Sequence, residues 1–162
     1  MTTVGAGSVA ATSDFADPGT WPLPDRAHVP GKNERPGPEF ARNIHAHAPA
    51  PGEPLPAMTP LWCYGLRLHK EGFFFEAHEA LEPVWMAAAP NSRERALARG
   101  VIQAANAALK VRMGWPQAAR RLETLARACF DDAFAGTEGS VLGLSRSEAE
   151  ALLDKGMFDN AI

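Results

Sequence analysis

The segment from Gly72 to Trp85, GFFFEAHEALEPVW, concentrates the side chains able to do chemistry. At about 100° per residue on a helix, Phe75, His78, Glu79, Glu82, Trp85 and Met86 fall within one sector of about 120°. Phe73, Phe74, Ala77, Leu81 and Val84 occupy the opposite half. One imidazole and two carboxylates framed by aromatic rings, with an apolar face behind them, predict a helix covered on both sides.

Three chemistries compete for this face. His78 and Glu82 stand at i, i+4, a workable ligand pair on one helix turn. The pattern is HExxE, however, and the second imidazole of the HExxH zinc motif is missing. Carboxylate-bridged di-iron bundles need Glu-x-x-His twice, and Phe75 occupies the Glu position. No metal or other cofactor is therefore expected, His78 and Glu82 being the residues that would ligate one. As an acid–base site, Glu79 or Glu82 would share a proton with His78, but no nucleophile or oxyanion arrangement is legible. The third reading is a buried polar network that fixes helix register.

The next helix carries a matching stripe. Arg99, Gln103, Asn106 and Lys110 follow one another by 4, 3 and 4 residues, flanked by apolar Leu97, Val101, Ile102, Ala105 and Leu109. Two carboxylates and an imidazole on one helix, and two cations and two amides on the next, are expected to face each other. A buried charge without a partner costs several kcal/mol. Arg99, with its planar fork, is the expected partner of Glu79 or Glu82. It is also the expected partner of the Glu79 carbonyl, which loses its amide donor to Pro83.

GFFFEAHEALEPVW followed by RGVIQAANAALKVRMGWPQAARRL resembles the bacterial and archaeal domain-of-unknown-function family 309. The positions that carry the resemblance are Glu76, Ala77, His78, Glu79, Glu82 and Trp85. Gly100, Val101, Ile102, Gln103, Ala105, Ala107, Gly114 and Ala118 continue it, over a span of about residues 61–128. PLPDRAHVPGKNERPGP is similar to the proline-rich lead-in of some members. Lys110 stands where many members carry histidine, and Trp115 where asparagine is common; the first departure removes a second imidazole. The resemblance implies a small all-helical domain and implies no activity.

The elements that must hold these residues are marked by punctuation. Thr59-Pro60 opens a helix that Gly72 stops. Phe73 to about Ala88 is the motif helix. Asn91 with Glu94 resembles a capping box for a helix that Gly114 ends, and Pro116 opens another, with Ala118, Leu122, Leu125 and Cys129 on one face. Ser145 with Glu148 is a further capping box, for a short helix ending near Gly156. No alternating strand pattern and no repeat appear. The expected fold is all-α, a small antiparallel bundle over residues 58–162, since the connectors are short.

Residues 1–57 read differently. Of 14 prolines, 11 fall in the first 60 residues, which predicts an extended, partly disordered N-terminal strap. Trp21, Leu23, Val29, Phe40 and Ile44 are the residues able to pin it to the bundle. His45 and His47 are expected to be solvated there. Trp62, Cys63 and Cys129 are expected in the core, and Trp115 either caps the core or meets a partner.

The chain has 162 residues and a net charge of −3, enough for one core and too few for two. Residues 93–127 nevertheless carry eight basic residues against Glu94 and Glu123, which raises nucleic-acid binding as the weakest reading; a solvated basic face is the expected one. No run approaches the roughly 20 apolar residues of a membrane span, and the first residues lack the pattern of a signal peptide. Two cysteines are too few for a disulfide scaffold, so the expected compartment is the cytoplasm. The leading expectation is a binding or interaction module with its ligand, a small molecule or a protein, held at His78, Glu79, Glu82, Trp85, Arg99, Gln103, Asn106 and Lys110. A metal-dependent or acid–base hydrolase using His78, Glu79 and Glu82 is the alternative. A homo-oligomer is left open.

Overall fold

The computed structural model describes residues 19–158. Among the described residues there are six helices: α1 (Pro38–Ala46), α2 (Pro60–Lys70), α3 (Phe74–Ala87), α4 (Arg93–Arg112), α5 (Pro116–Phe134) and α6 (Arg146–Phe158). Among the described residues there is no sheet, and the all-α expectation holds. Val141 and Leu144 form one isolated bridge, closing a turn through Leu142 and Gly143, both at positive φ. No helix among the described residues is long and apolar enough to cross a membrane. The extended conformation expected of residues 1–18 lies outside the described residues.

The punctuation acts through backbone hydrogen bonds. After α2, the Phe73 amide returns to the Leu68 carbonyl at 2.8 Å and that of Gly72 to His69 at 3.1 Å. After α4, Trp115 returns to Lys110 at 2.9 Å and Gly114 to Val111 at 3.0 Å. Both are Schellman closures, which put the residue after the cap in the left-handed region that glycine tolerates; Gly72 has φ +88° and Gly114 φ +80°. The capping box of Ser145 and Glu148 is present in both directions, at 3.0 and 3.1 Å. The box expected at Asn91 is one residue later. Ser92 caps α4 by accepting from the Arg95 amide at 3.1 Å, while Asn91 makes the turn before it at φ 61°.

Short connectors reverse the chain between successive helices, and α4 sits centrally, packed on α3, α5 and α6. Two glycines let helices approach closely. A Cβ on Gly65 would lie 2.5 Å from the Leu81 side chain, and one on Gly100 would lie 2.5 Å from the Phe130 ring. Trp62, Leu61, Leu68, Leu81, Leu97 and Phe130 form the buried centre. The Trp62 indole donates to the Leu142 carbonyl at 2.8 Å, tying α2 to the α5–α6 loop.

Residues 21–57, called the strap below, are not extended throughout. Pro38 at the first helical position and the proline-free run that follows it allow α1 to form. Trp21 and Ile44 are buried with the bundle core, and Leu23, Phe40 and Leu55 pack against it in part. His47, expected in solvent, packs against Trp21 with ring centroids 4.7 Å apart and planes tilted by 52°; His45 is exposed.

Candidate functional site

The apolar half of α3 behaves as its spacing requires: Phe74, Ala77, Leu81 and Val84 are fully buried, which fixes the opposite sector outward. His78 sits between the two carboxylates. Its Nδ1 is 3.6 Å from Glu79 Oε1 and its Nε2 is 3.6 Å from Glu82 Oε2. One ligand atom from each of the three residues lies within 4.8 Å of the others. The side chains of His78, Glu79 and Glu82 are 29, 41 and 47 % exposed, so the cluster is open to solvent and is not the buried network expected from the sequence.

The cationic stripe does not face it. Arg99 is exposed, and among the described residues no ion pair or hydrogen bond joins it to Glu79 or Glu82. It lies instead beside α5, where its charge partly opposes the burial that pushes the Cys129 thiol up. The reason is the central place of α4. With α3, α5 and α6 all packed on α4, its polar stripe forms no ion pair or hydrogen bond with the α3 cluster among the described residues. Gln103, Asn106 and Lys110 are half-buried along that stripe, and the Lys110 ammonium stands 4.6 Å from the centroid of Trp115, itself exposed. Trp85 frames the α3 cluster at its far end and carries the Arg95 guanidinium 4.7 Å from its ring centroid.

Other cations of the 93–127 segment are engaged within the fold. Arg93 donates to the Ala133 carbonyl at 2.9 Å, Arg95 to Ala88 at 3.1 Å, and Arg112 to Gly72. Arg127 pairs with Glu123 at 3.0 Å. Cys63 and Cys129 are free thiols, and burial raises both.

The sequence reading missed Glu76. This first carboxylate of the motif falls outside the polar sector of α3 and is 0 % exposed. Its Oε2 accepts the His28 amide at 2.9 Å; its Oε1 has no hydrogen-bond partner among the described residues. Burial pushes its pKa up, opposed by the His28 amide and by the charges of His28 and Arg112. The signal was available: an acid on the apolar side of an amphipathic helix needs a buried donor. The identity of that donor, 48 residues earlier in the chain, was not. Around Glu76, His28 meets the Phe75 ring edge-on with centroids 4.5 Å apart, and Arg35 stands over the same ring. Lys32 donates to the Arg112 carbonyl at 2.7 Å.

A separate groove of about 1160 Å³ opens between the two arms of the strap, walled by Trp21, Pro22, Arg35, Pro38, Phe40 and Tyr64 among others. None of the residues expected at the site lines it.

Residues 62–122 match the family model described as Domain of unknown function (DUF309), and the resemblance drawn from the motif holds over that span, from α2 into α5. No curated protein and no solved structure matches the chain.

Proposed function

We propose that the helical domain is a binding module whose recognition face is the His78–Glu79–Glu82 cluster, and that its ligand is cationic. The observation that carries this reading is the geometry of the cluster. Two half-exposed carboxylates flank one imidazole at 3.6 Å each, while Arg95 of α4 lies on the flanking Trp85 ring and donates to the Ala88 carbonyl. Among the described residues no arginine forms an ion pair with either carboxylate, so the face presents negative charge. A cation placed between the carboxylates gains from both, and more so in the lowered dielectric beside Trp85.

Two sources share this chemistry. A borderline divalent metal ion suits one imidazole and two carboxylates with coordination positions left open. A guanidinium or ammonium group of a small molecule or protein suits the carboxylates and the aromatic flank. Among the described residues no side chain arranged as a nucleophile accompanies the cluster, which supports binding over hydrolysis. The two free cysteines support a reducing compartment, and the proposal takes the cytoplasm as the place of action.

The test is calorimetric titration of the full chain with Zn²⁺, with Mn²⁺ and with an arginine-rich peptide. One-to-one binding of any of these, lost in Glu79→Gln/Glu82→Gln, is the expected result. Which titrant binds identifies the source. No saturable binding, or binding unchanged in the double variant, overturns the reading.

A further inference from the structure

We propose that the strap is a hinged cover over the first turn of α3, opening as a unit while α2–α6 stay folded. Opening delivers the Glu76 carboxylate and the Phe75 ring to solvent, on the same helix as Glu79 and Glu82. The inference is independent of whether that face binds a cation.

The strap is joined to the bundle by a few long-range polar tethers. The Glu76 carboxylate holds the His28 amide, the Tyr64 hydroxyl donates to the Pro22 carbonyl at 2.7 Å, and Arg67 donates to the Trp21 carbonyl at 2.6 Å. The Gly52 amide donates to the Ala87 carbonyl at 3.2 Å, at the other end of α3. Only Trp21, His28 and Ile44 of the strap are buried. The helices α2–α6, by contrast, share a continuous core to which the strap contributes two buried apolar side chains.

The seam itself is imperfectly satisfied. The Trp21 indole nitrogen and Glu76 Oε1 are buried polar atoms, one on each side of it, without a hydrogen-bond partner among the described residues. An unsatisfied buried group costs free energy that water returns when the group is exposed. Undocking the strap therefore recovers part of what it loses, whereas separating α4 from α5 recovers nothing comparable. Units with few buried apolar contacts open more often than the core they rest on. Gly52, at φ +82° with nothing within 4 Å of where a Cβ would stand and anchored by its amide to the Ala87 carbonyl, is a backbone position able to act as the pivot for the residues before it.

Hydrogen exchange of the full chain, read amide by amide, tests this. The His28 amide, which the Glu76 carboxylate holds, is expected to open at least about 10-fold more often than those of Val101 to Ala105 in α4. Tyr64→Phe removes the hydroxyl that holds Pro22 and keeps the ring, so strap exchange rises about 5-fold with α4 unchanged. Lys32→Ala, an exposed change that removes the Lys32 bond to the Arg112 carbonyl, has the same direction and serves should Tyr64→Phe fold poorly. Carbodiimide coupling of glycine ethyl ester to Glu76 is expected to rise in step with strap opening. A common exchange rate for strap and α4, equal acceleration of both by the variants, or no acceleration of the strap by either variant overturns the proposal. So does labelling of Glu76 that requires loss of α4 protection.

Discussion

The backbone amide of His28 donates to the Glu76 carboxylate across 2.9 Å and 48 residues of sequence. That bond makes the first acid of the EAHE segment a structural residue and leaves His78, Glu79 and Glu82 as the exposed ones. One helix thus divides its carboxylates by the direction each faces. The carboxylate outside the polar sector is covered by the strap, and the two carboxylates inside it meet solvent.

This division sets opposite expectations for two alanine substitutions. Glu82→Ala removes a half-exposed carboxylate whose only ion-pair partner among the described residues is His78. An exposed i, i+4 pair contributes about 0.3–0.5 kcal/mol, and alanine is the better helix former. Its unfolding free energy should stay within about 0.5 kcal/mol of the parent. Glu76→Ala strands the His28 amide in the interior and should cost about 1–3 kcal/mol. Thermal or urea unfolding of both variants measures the contrast, and a strongly destabilised Glu82→Ala would restore the buried-network expectation.

Glu76 also sets a pH dependence. Burial raises its pKa in the folded chain, so the protonated form is the one folding favours. Its stabilising contribution is complete below the ordinary value near 4.5 and is lost as the pH rises through the raised one. Glu76→Gln does not titrate. The Tm of the parent minus that of Glu76→Gln should therefore fall as the pH is raised above about 4.5, a trend read by differential scanning calorimetry at several pH values.

The cap of α6 has the opposite sign. Hydrogen bonds from the Ser145 amide and hydroxyl hold the Glu148 carboxyl below its usual range. Stability from this cap is present above the ordinary carboxyl value and is lost as the pH falls through the lowered one. Ser145→Ala should lower stability by about 0.5–2 kcal/mol at neutral pH. The gap between parent and variant should narrow in acid, which unfolding at pH 7 and pH 3 would show.

Gly100→Ala tests the α4–α5 seam. The added methyl would lie 2.5 Å from the Phe130 ring and 3.1 Å from Cys129 Cβ, and Phe130 is buried with little room to shift. A cost of about 1–3 kcal/mol is expected from overpacking. Combining it with Phe130→Leu should recover part of the loss, measurable as a coupling in a double-mutant cycle.

The sequence alone determined the helices from α2 to α6 and the outward sector of α3. These are local properties: proline at helix starts, glycine after helix ends, and a spacing that puts Phe74, Ala77, Leu81 and Val84 on one side. Ser92 in place of Asn91 as the cap of α4 was a one-residue correction within the same local chemistry. The formation of α1 was legible only in part, because proline density masked the proline-free run after Pro38. What the tertiary structure decided was which faces meet. Arg99 and Glu82 sit on stripes of complementary charge, yet whether two stripes meet depends on how their helices pack, and α4 packs on α3, α5 and α6. The donor for Glu76 lies in the strap, and nothing in residues 28–34 announces it, since a backbone amide has no side-chain signature. Periodicity assigns a residue to a face of its own helix, whereas pairing between faces comes only from the packing of the whole chain.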